Sequence, residues 1–433
     1  MTAHVLAGLL DAKGADLPMD NGMVERGRYA LRALVESELW QYRQKEHESW
    51  VSDGDAYALW VMSRFGDRHD ELDKLLYERR MQLSPYGKLL LALAHKNLGD
   101  DAKANALLTN VDQLRKADPE NETSWIETST AGWWYWWNDD IETNALYLRA
   151  LDAIRPKDAT APQIVKWLLN HRKHGWYWDS TRDTAQVVAA FANHMQVSGE
   201  RHPDYDLEIL VDGAVKKKAH VDAKNMFLVD ADLRLSGKDV GGGKHTITVR
   251  KTGDGAVYFN TYLSFFTLED DIKAEGLEVK VDRKYFKLER QDRTHTAYGD
   301  RGQALAQTEL AYKKVPLSSG AEVKSGDLIL VELLVTSKND YTYLAFEDPK
   351  PAGAEAVALR SGNVTGETWA HMELRDDKVV FFLSELTQGT LKLSYRLRAE
   401  LPGTFSAMPT HGFAMYAPEI QANSDEMKLG ISE

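Results

Sequence analysis

One stretch of this sequence has the side chains that carbohydrate chemistry requires. Five aromatic residues, Trp133 to Trp137, directly precede the acidic pair Asp139 and Asp140. Aromatic rings stack on sugar faces, and two carboxylic acids can act as acid and base in glycoside hydrolysis. The structural alternative is that the rings fill the core of a helical domain and that Asp140 only begins a helix. The structural alternative is favoured, because a fold that hosts such enzymes does not by itself specify an activity.

Three weaker patterns also have a structural explanation. His171 and His174 share a face if they lie on one helix and could bind a metal, but Gly175 indicates that the helix is ending. Residues 241–244, Gly-Gly-Gly-Lys, lack phosphate-loop spacing and lie between strand-like runs, which favours a hairpin turn. No Gly-x-Ser-x-Gly motif is present, so no catalytic triad is nominated. The sequence therefore predicts no metal, no cofactor and no enzyme activity.

Composition narrows the classes of partner and of chemistry. The 433 residues carry a net charge of −13, which argues against a dominant role in binding nucleic acid. Cysteine is absent, so these residues form no disulfide, no thiol nucleophile and no thiolate metal site. The first residues have an apolar run without a basic segment or a cleavage site, which favours a helix over a signal peptide. The length predicts two to four domains.

The candidate residues belong to a long helical region, 1–197. Two acid-threonine pairs, Glu142-Thr143 and Asp183-Thr184, lie 41 residues apart, and each is followed by small and apolar residues. A short oxygen side chain favours a helix start, so each pair is expected to open a helix. The spacing is typical of one helix pair per repeat, and such pairs must stack or close into a ring to bury their apolar faces. We expect eight to ten helices in this region.

The pattern changes to alternation near residue 203. Alternating apolar residues and turn residues predict strands at 205–211, 226–229, 245–249 and 256–266, and thus a small β domain over 198–275. A second β domain is expected over 276–433. Its predicted strands are 277–281, 285–288, 328–336, 341–346, 379–383 and 391–397, with one short helix at 303–311.

Ordered motifs over some 280 residues resemble the C-terminal region of the bacterial α2-macroglobulin family. The motifs of the helical region are Asp140-Ile141-Glu142-Thr143, Trp167-Leu168-Leu169 and Trp178-Asp179-Ser180-Thr181-Arg182-Asp183-Thr184. The motifs of the last domain are Asp348-Pro349-Lys350-Pro351-Ala352-Gly353-Ala354-Glu355, Pro402-Gly403-Thr404-Phe405 and Met415-Tyr416-Ala417-Pro418-Glu419. The resemblance implies a partial α/α toroid of antiparallel helix pairs over 1–197, from the family's thioester domain. A CUB-like β-sandwich over 198–275 and a C-terminal macroglobulin-like β-sandwich over 276–433 follow.

The resemblance also implies a function and partners. Such proteins trap proteases in the bacterial periplasm or envelope, so proteases and the upstream macroglobulin domains are the expected partners. The family's Cys-x-Glu-Gln thioester motif and its protease-cleaved bait segment are absent from these residues. Their absence leaves open a thioester-free envelope binding or scaffold module. A third alternative is a toroid enzyme acting on polysaccharide or isoprenoid through Asp139, Asp140 and the tryptophan cluster.

Two residues are the candidate contact between the toroid and the last domain. By resemblance, Tyr416 with Met415 would pack against the toroid and exclude water from the thioester region. The alternative, that Tyr416 is ordinary core, is equally open. The other motif residues are expected to be structural: Glu142, Thr143, Trp178, Thr181, Asp183, Thr184, Asp348, Pro351, Gly353 and Glu355.

Overall fold

The protein combines a helical part with several antiparallel sheets. The computed structural model describes residues 1–14, 16–44, 50–128, 139–172, 177–259, 261–263, 271–291, 293–298, 304–309, 311–357, 362–364 and 370–433. The described residues divide into two compact units. The first comprises 1–170 with 178–262, and the second 171–177 with 263–433. The predicted division into three domains at 197 and 275 stays a prediction.

The helical region is confirmed for the described part of residues 1–197. Its α-helices are α1 (Thr2–Gly14), α2 (Asn21–Gln44), α3 (Asp53–Arg64), α4 (Asp70–Glu78), α5 (Pro85–Asn97), α6 (Asp101–Asp112), α7 (Asp140–Ile154), α8 (Ala161–Asn170) and α9 (Thr181–Val197). A short 3₁₀ turn, Arg80–Gln82, precedes α5. The hairpin β1 (Arg115–Asp118) and β2 (Thr123–Ile126) was not predicted.

The core of the helical region is centred on α5. Every residue from Tyr86 to His95 is buried, so α5 is covered on all sides. A helix that is buried on every face lies inside its domain. One apolar cluster joins α5 to its neighbours, with Leu59 of α3, Leu108 of α6 and Leu148 of α7 all fully buried. Burying a leucine side chain stabilises a fold by about 1.5–3 kcal/mol.

The acid-threonine pairs lie inside the first turn of their helices. The helices α7 and α9 begin at Asp140 and Thr181, so the predicted starts at Glu142 and Asp183 are wrong by two residues. The capping residues are Asp139 and Ser180, whose side chains accept the backbone N–H of the residue three positions later. The repeated acid is therefore the third helical residue, where it also faces the positive end of the helix dipole.

The first unit also contains one three-stranded antiparallel sheet. Its order is β4 (Ala214–Asp222), β3 (Asp204–Val211), β5 (Ile247–Asp254). The strands expected at 205–211 and 245–249 are confirmed, although the second begins two residues later.

Two expected strands of this region are wrong. Residues 226–228 belong to a turn and residue 229 follows it, and Phe227 and Leu228 are 87% and 83% exposed. The described residues of 256–266 form no strand, and Tyr258 and Leu263 are more than half exposed. Strand-like composition does not produce a strand where no partner strand supplies hydrogen bonds. Residues 241–244 therefore lie in the long connection from β4 to β5, not in a hairpin turn between two strands.

The second unit is built from antiparallel sheets and a short mixed sheet. One sheet has the order β10 (Tyr312–Leu317), β7 (Val279–Arg290), β12 (Leu328–Ser337), β18 (Gly389–Ala399), β14 (Ala354–Ala356). Another has the order β15 (Gly362–Val364), β16 (Ala370–Leu374), β17 (Lys378–Leu386), β13 (Tyr341–Pro349), β20 (His411–Ala414), β21 (Ala417–Asn423), β6 (Glu275–Gly276). A third has the order β11 (Ala321–Lys324), β22 (Met427–Ser432), β19 (Gly403–Ala407).

One apolar core joins the two larger sheets, as in a β-sandwich. Val331 of β12 and Leu397 of β18 share it with Phe346 of β13 and Phe381 of β17, and all four are fully buried. The strands predicted from 277 to 397 are confirmed, with 277–281 and 285–288 merged into the single strand β7. The helix expected at 303–311 is wrong. Residues Ala304–Glu309 instead form β9, which pairs with β8 (Arg293–Tyr298).

Candidate functional site

The Met415–Tyr416 turn presents the large exposed apolar side chains of the predicted last domain's motifs. The two residues connect β20 to β21, whose ends pair at Ala414 and Ala417. Tyr416 is 61% exposed and Met415 is 42% exposed. The alternative that Tyr416 belongs to the sandwich core is therefore wrong. An aromatic ring and a thioether presented together at a hairpin turn form a small apolar contact surface.

Tyr343 of β13 lies directly against this turn. Its carbonyl accepts the Met415 backbone N–H at 2.9 Å. Its ring meets the Tyr416 ring edge to face, with centroids 5.5 Å apart and an angle of 88° between the planes. An open cleft of about 320 Å³ begins beside the turn, and Tyr343, Met415, Phe382 and His371 are among its lining residues. Sequence reasoning missed Tyr343, since no local pattern distinguishes it from other strand tyrosines.

A buried polar cluster supports the strands that lead to this turn. Asp348 is fully buried and accepts hydrogen bonds from Arg283 Nη1 at 2.6 Å, Tyr395 OH at 2.7 Å and Thr410 Oγ1 at 2.9 Å. Arg283 also donates to the Ala407 and Met408 carbonyls, just before β20. A buried carboxylate with one cationic and two hydroxyl donors fixes the strands that carry those donors. The predicted structural residue Asp348 therefore links β7, β13 and β18 to the chain that enters β20.

The motif residues that follow Asp348, up to Glu355, form a tight turn that packs against Phe405 of β19. The Pro351 carbonyl accepts the Ala354 N–H at 2.9 Å, and the Gly353 carbonyl accepts the Glu400 N–H at 2.8 Å. A Cβ atom on Gly353 would lie 2.2 Å from Cε2 of Phe405, so only glycine fits at this position. Glu355 forms an ion pair with Lys350. These contacts give Pro351, Gly353 and Glu355 a structural role.

The motif residues of the helical region form a second connected cluster. Glu142 is buried and accepts from Tyr86 OH at 3.1 Å and from Arg182. Trp178 is buried and donates its indole N–H to the Leu168 carbonyl at 2.7 Å. The backbone N–H of Trp178 is bonded to Thr184 Oγ1, and Thr184 Oγ1 donates in turn to the Ser180 carbonyl. These residues tie α5, α7, α8 and α9 together.

The remaining residues of the helical motifs hold the start of α9 and the body of α7. Thr181 is the first residue of α9, Asp183 is buried next to its cap Ser180, and Thr143 is fully buried. Thr143 and Asp183 are turned inward, and Asp183 is bonded to the cap residue Ser180, whereas Thr181 is exposed at the start of α9.

Asp139 and Asp140, the carboxylates on which the enzyme alternative depends, both accept hydrogen bonds from backbone N–H groups. Asp139 caps α7 by accepting the Glu142 N–H at 2.7 Å. Asp140 accepts the Thr128 N–H at 2.7 Å and the Thr128 hydroxyl at 2.5 Å. Burial raises the pKa of Asp139 to about 7, and neighbouring Asp183 and Glu142 also raise it. The aromatic residues 133–137 lie outside the described residues. The geometry thus favours the structural interpretation of the acidic pair.

The described residues contain no group of three or more His, Asp or Glu side chains placed to hold a metal ion. His171 follows the last residue of α8, which agrees with the expected helix end, and His174 lies outside the described residues. Within the described part of the chain, no helix is both long and apolar enough to cross a bilayer.

Comparison with known proteins assigns the domain that carries the turn. Residues 279–419 match the sequence model of the bacterial alpha-2-macroglobulin MG10 domain. The resemblance to the bacterial α2-macroglobulin family is confirmed. The matched residues include Tyr343, Asp348 and the Met415–Tyr416 turn.

Similar proteins extend the likeness over most of the chain. An alpha-2-macroglobulin homolog from Nostoc sp. is 21% identical over 385 residues, which are 87% of this chain and 19% of that protein. A second homolog, from Yersinia pestis, is 21% identical and covers 98% of this chain and 20% of that protein. The chain thus spans about a fifth of the length of these curated relatives. The structure of trypsin-activated alpha-2-macroglobulin from Escherichia coli is 16% identical, with a TM-score of 0.46, and covers 100% of this chain and 27% of that one.

Proposed function

We propose that the chain is the C-terminal region of an α2-macroglobulin-like, broad-spectrum endopeptidase inhibitor of the bacterial envelope. The observation that carries the proposal is the MG10 match over 279–419, which includes the exposed Met415–Tyr416 turn. Curated relatives that match 87% and 98% of the chain also bear the α2-macroglobulin name. The periplasm is the compartment in which such an inhibitor would meet foreign proteases.

Each part of the chain has a conformational role in this proposal. Residues 1–197 form a partial α/α toroid, 198–275 a CUB-like β-sandwich, and 276–433 the C-terminal macroglobulin-like β-sandwich. Proteases are the targets, and macroglobulin domains of the complete polypeptide are the partners. Because these residues contain no cysteine, they do not form the family's thioester. In this proposal the chain contributes to the enclosure of a protease by the complete protein, and it is not an enzyme.

Within the complete protein, Tyr416 and Met415 contact the helical domain until a protease cleaves the inhibitor. Their exposure of 61% and 42% supports this role, because side chains inside the sandwich core could not make such a contact. A tyrosine suits it well, since the ring excludes water while the hydroxyl forms a polar contact at the edge. Cleavage would break the contact and let the domains close around the attacker.

The test uses the protein purified at native length from its source cells. Proteases are incubated with it and then assayed on a large protein and on a small peptide. An enclosed protease loses activity on the protein substrate and keeps activity on the peptide. Tyr416→Ala is expected to weaken this difference, whereas Leu401→Ala, at an equally exposed position of the same unit, is the matched control. If every protease kept its full activity on both the protein and the peptide substrate, the proposal would be contradicted.

The absence of cysteine favours a second candidate, a thioester-free binding or scaffold module of the envelope. This module would use the same exposed turn to bind an envelope protein without affecting any protease. The same protease assay separates the two candidates. A binding module leaves the activity of a protease unchanged on both the protein and the peptide substrate, whereas an inhibitor lowers only the activity on the protein. Binding to a purified envelope protein that Tyr416→Ala abolishes would then support the module.

A further inference from the structure

Tyr343 has a backbone conformation that tyrosine rarely adopts. Its φ angle is +56°, in the left-handed region, although it lies inside strand β13. Two nearby residues of the same strand, Tyr341 and Leu344, are buried at 3% and 1% exposure, while Tyr343 itself is 45% exposed. In a regular strand, residues three apart point to opposite faces. The left-handed conformation of Tyr343 therefore lets both Tyr341 and Leu344 enter the core. It also turns the Tyr343 ring outward, toward the Met415–Tyr416 turn.

The Met415–Tyr416 turn lacks the local geometry that stabilises short hairpins. Two-residue hairpin loops favour positive φ angles at one or both loop residues, because only those turns match the twist of the strands. Neither Met415 nor Tyr416 has a positive φ angle. The pairing of β20 with β21 is also irregular between Phe413 and Ala414. The turn therefore depends on contacts from outside its own hairpin.

Strand β13 supplies these contacts through Tyr343. The ladder between β13 and β20 runs from Glu347 paired with His411 to Leu344 paired with Ala414. The bond from the Met415 N–H to the Tyr343 carbonyl, at 2.9 Å, continues that ladder into the turn. The edge-to-face contact of the two tyrosine rings adds a second restraint. Backbone strain of this kind persists at functional sites when the surrounding structure enforces it.

We propose that Tyr343 is a positioning residue that sets the direction in which Tyr416 is presented to its partner domain. The carbonyl of Tyr343 fixes the backbone of the turn, and its ring limits the orientations of the Tyr416 ring. The inference rests on the proposed role of Tyr416 in the inhibitor.

Three substitutions separate the backbone contribution from that of the ring. Tyr343→Val removes both, because a β-branched residue strongly disfavours the left-handed conformation. Tyr343→Asn removes only the ring, since asparagine adopts this conformation readily. Tyr343→Phe keeps the ring and the backbone and serves as the conservative rescue. Leu401→Asn, at an exposed position of the same unit, is the matched control.

The native-length protein is used for two measurements, amide hydrogen exchange at Met415 and the protein-versus-peptide protease assay. Tyr343→Val is expected to speed exchange at Met415 by at least about tenfold, without a change at core amides such as Phe346. Tyr343→Asn is expected to keep the slow exchange at Met415 and to weaken inhibition. Tyr343→Phe is expected to retain both the slow exchange and the inhibition of the parent. The double variant Tyr343→Val with Tyr416→Ala should inhibit no worse than Tyr416→Ala alone, because positioning has no effect without the residue positioned.

The outcomes distinguish failure of the inference from failure of the proposed function. Unchanged exchange at Met415 in Tyr343→Val overturns the positioning role whatever the protease assay shows. If Tyr416→Ala weakens inhibition but Tyr343→Val does not, the positioning role is also overturned while the function stands. If Tyr416→Ala has no effect on inhibition, the proposed role of Tyr416 fails, and the exchange measurement still decides whether Tyr343 holds the turn. If Tyr343→Val does not fold, loss of inhibition in Tyr343→Asn supports the inference, and parent-like inhibition overturns it.

Discussion

Arg283 and Asp348 form an ion pair that solvent does not reach. Their side chains are 1% and 0% exposed, and Nη1 of Arg283 lies 2.6 Å from Oδ1 of Asp348. The pair joins β7 of one sheet to β13 of the other, and both side chains make further hydrogen bonds. A buried pair of this kind does not need to be net stabilising, but each charge depends on its partner.

Removing one partner of this pair should therefore be costly. Arg283→Met is expected to lower the free energy of unfolding by about 3–5 kcal/mol, because Asp348 is left buried without its cation. The measurement is the denaturant midpoint of the second unit, followed by amide hydrogen exchange at core residues such as Phe346, because tyrosine and tryptophan occur in both units. Lys284→Met is the control, since it removes an exposed pair with Asp282 on the same strand. Arg283→Met with Asp348→Leu should recover most of the loss, and no recovery would contradict the explanation.

Substitution of Gly353 should be destabilising for a steric reason. A Cβ atom at this position would lie 2.2 Å from the Phe405 ring, so Gly353→Ala must displace the ring or the turn. The expected loss is about 1–3 kcal/mol, typical of overpacking. Phe405→Leu in the same chain opens space and should return part of the stability, as measured by thermal unfolding. If Gly353→Ala were as stable as the parent, the close approach would not exist in solution.

The contact of His194 with Asp152 makes stability depend on pH. Burial opposes the charged imidazole, but the hydrogen bond to Asp152 at 2.9 Å and the nearby Glu200 raise the pKa of His194 above its ordinary value. The charged form is thus favoured in the folded state, so the contribution is complete below the unfolded pKa of about 6.5 and is lost as pH rises through the folded pKa. The excess stability of the parent over His194→Gln should shrink as pH rises from 6 to 8. A constant difference would contradict this assignment.

Asp139 should show a pH dependence of a different origin. Burial raises its pKa to about 7, so the folded chain holds a proton that the unfolded chain releases near pH 4. Stability from this group is complete below the unfolded pKa and falls as pH rises toward 7. Asp139→Asn keeps the cap without the charge, so its stability relative to the parent should increase between pH 4 and 7. Asp139→Ala loses the cap and should be less stable than Asp139→Asn by about 1 kcal/mol. If both variants behaved alike, the capping role would be wrong.

Local patterns predicted the elements that depend on local interactions. The change from helix to strand near residue 203 is an example, since α9 ends at Val197 and β3 begins at Asp204. The predicted starts of α7 and α9, at Glu142 and Asp183, are two residues too late. The capping oxygen comes from Asp139 and Ser180, and the following acid is used inside the helix.

Errors occurred where a distant partner decides the structure. Residues 256–266 have strand composition, but no strand pairs with their described part. Residues Ala304–Glu309 have helix-forming composition, but the ladder with β8 makes them a strand. Backbone hydrogen bonds between strands are long-range contacts, and they override the small differences in intrinsic propensity.

By itself, the sequence determined the α-then-β order, most strands of the last domain, the absence of cysteine from these residues and the family resemblance. These properties follow from residue type, periodicity and ordered motifs, which can be read locally. Only the tertiary structure decided that Tyr416 is exposed, that Asp348 is held by Arg283, and that Tyr343 adopts a left-handed conformation beside the turn. The reason is physical, because burial and strain at a residue depend on neighbours that are distant along the chain.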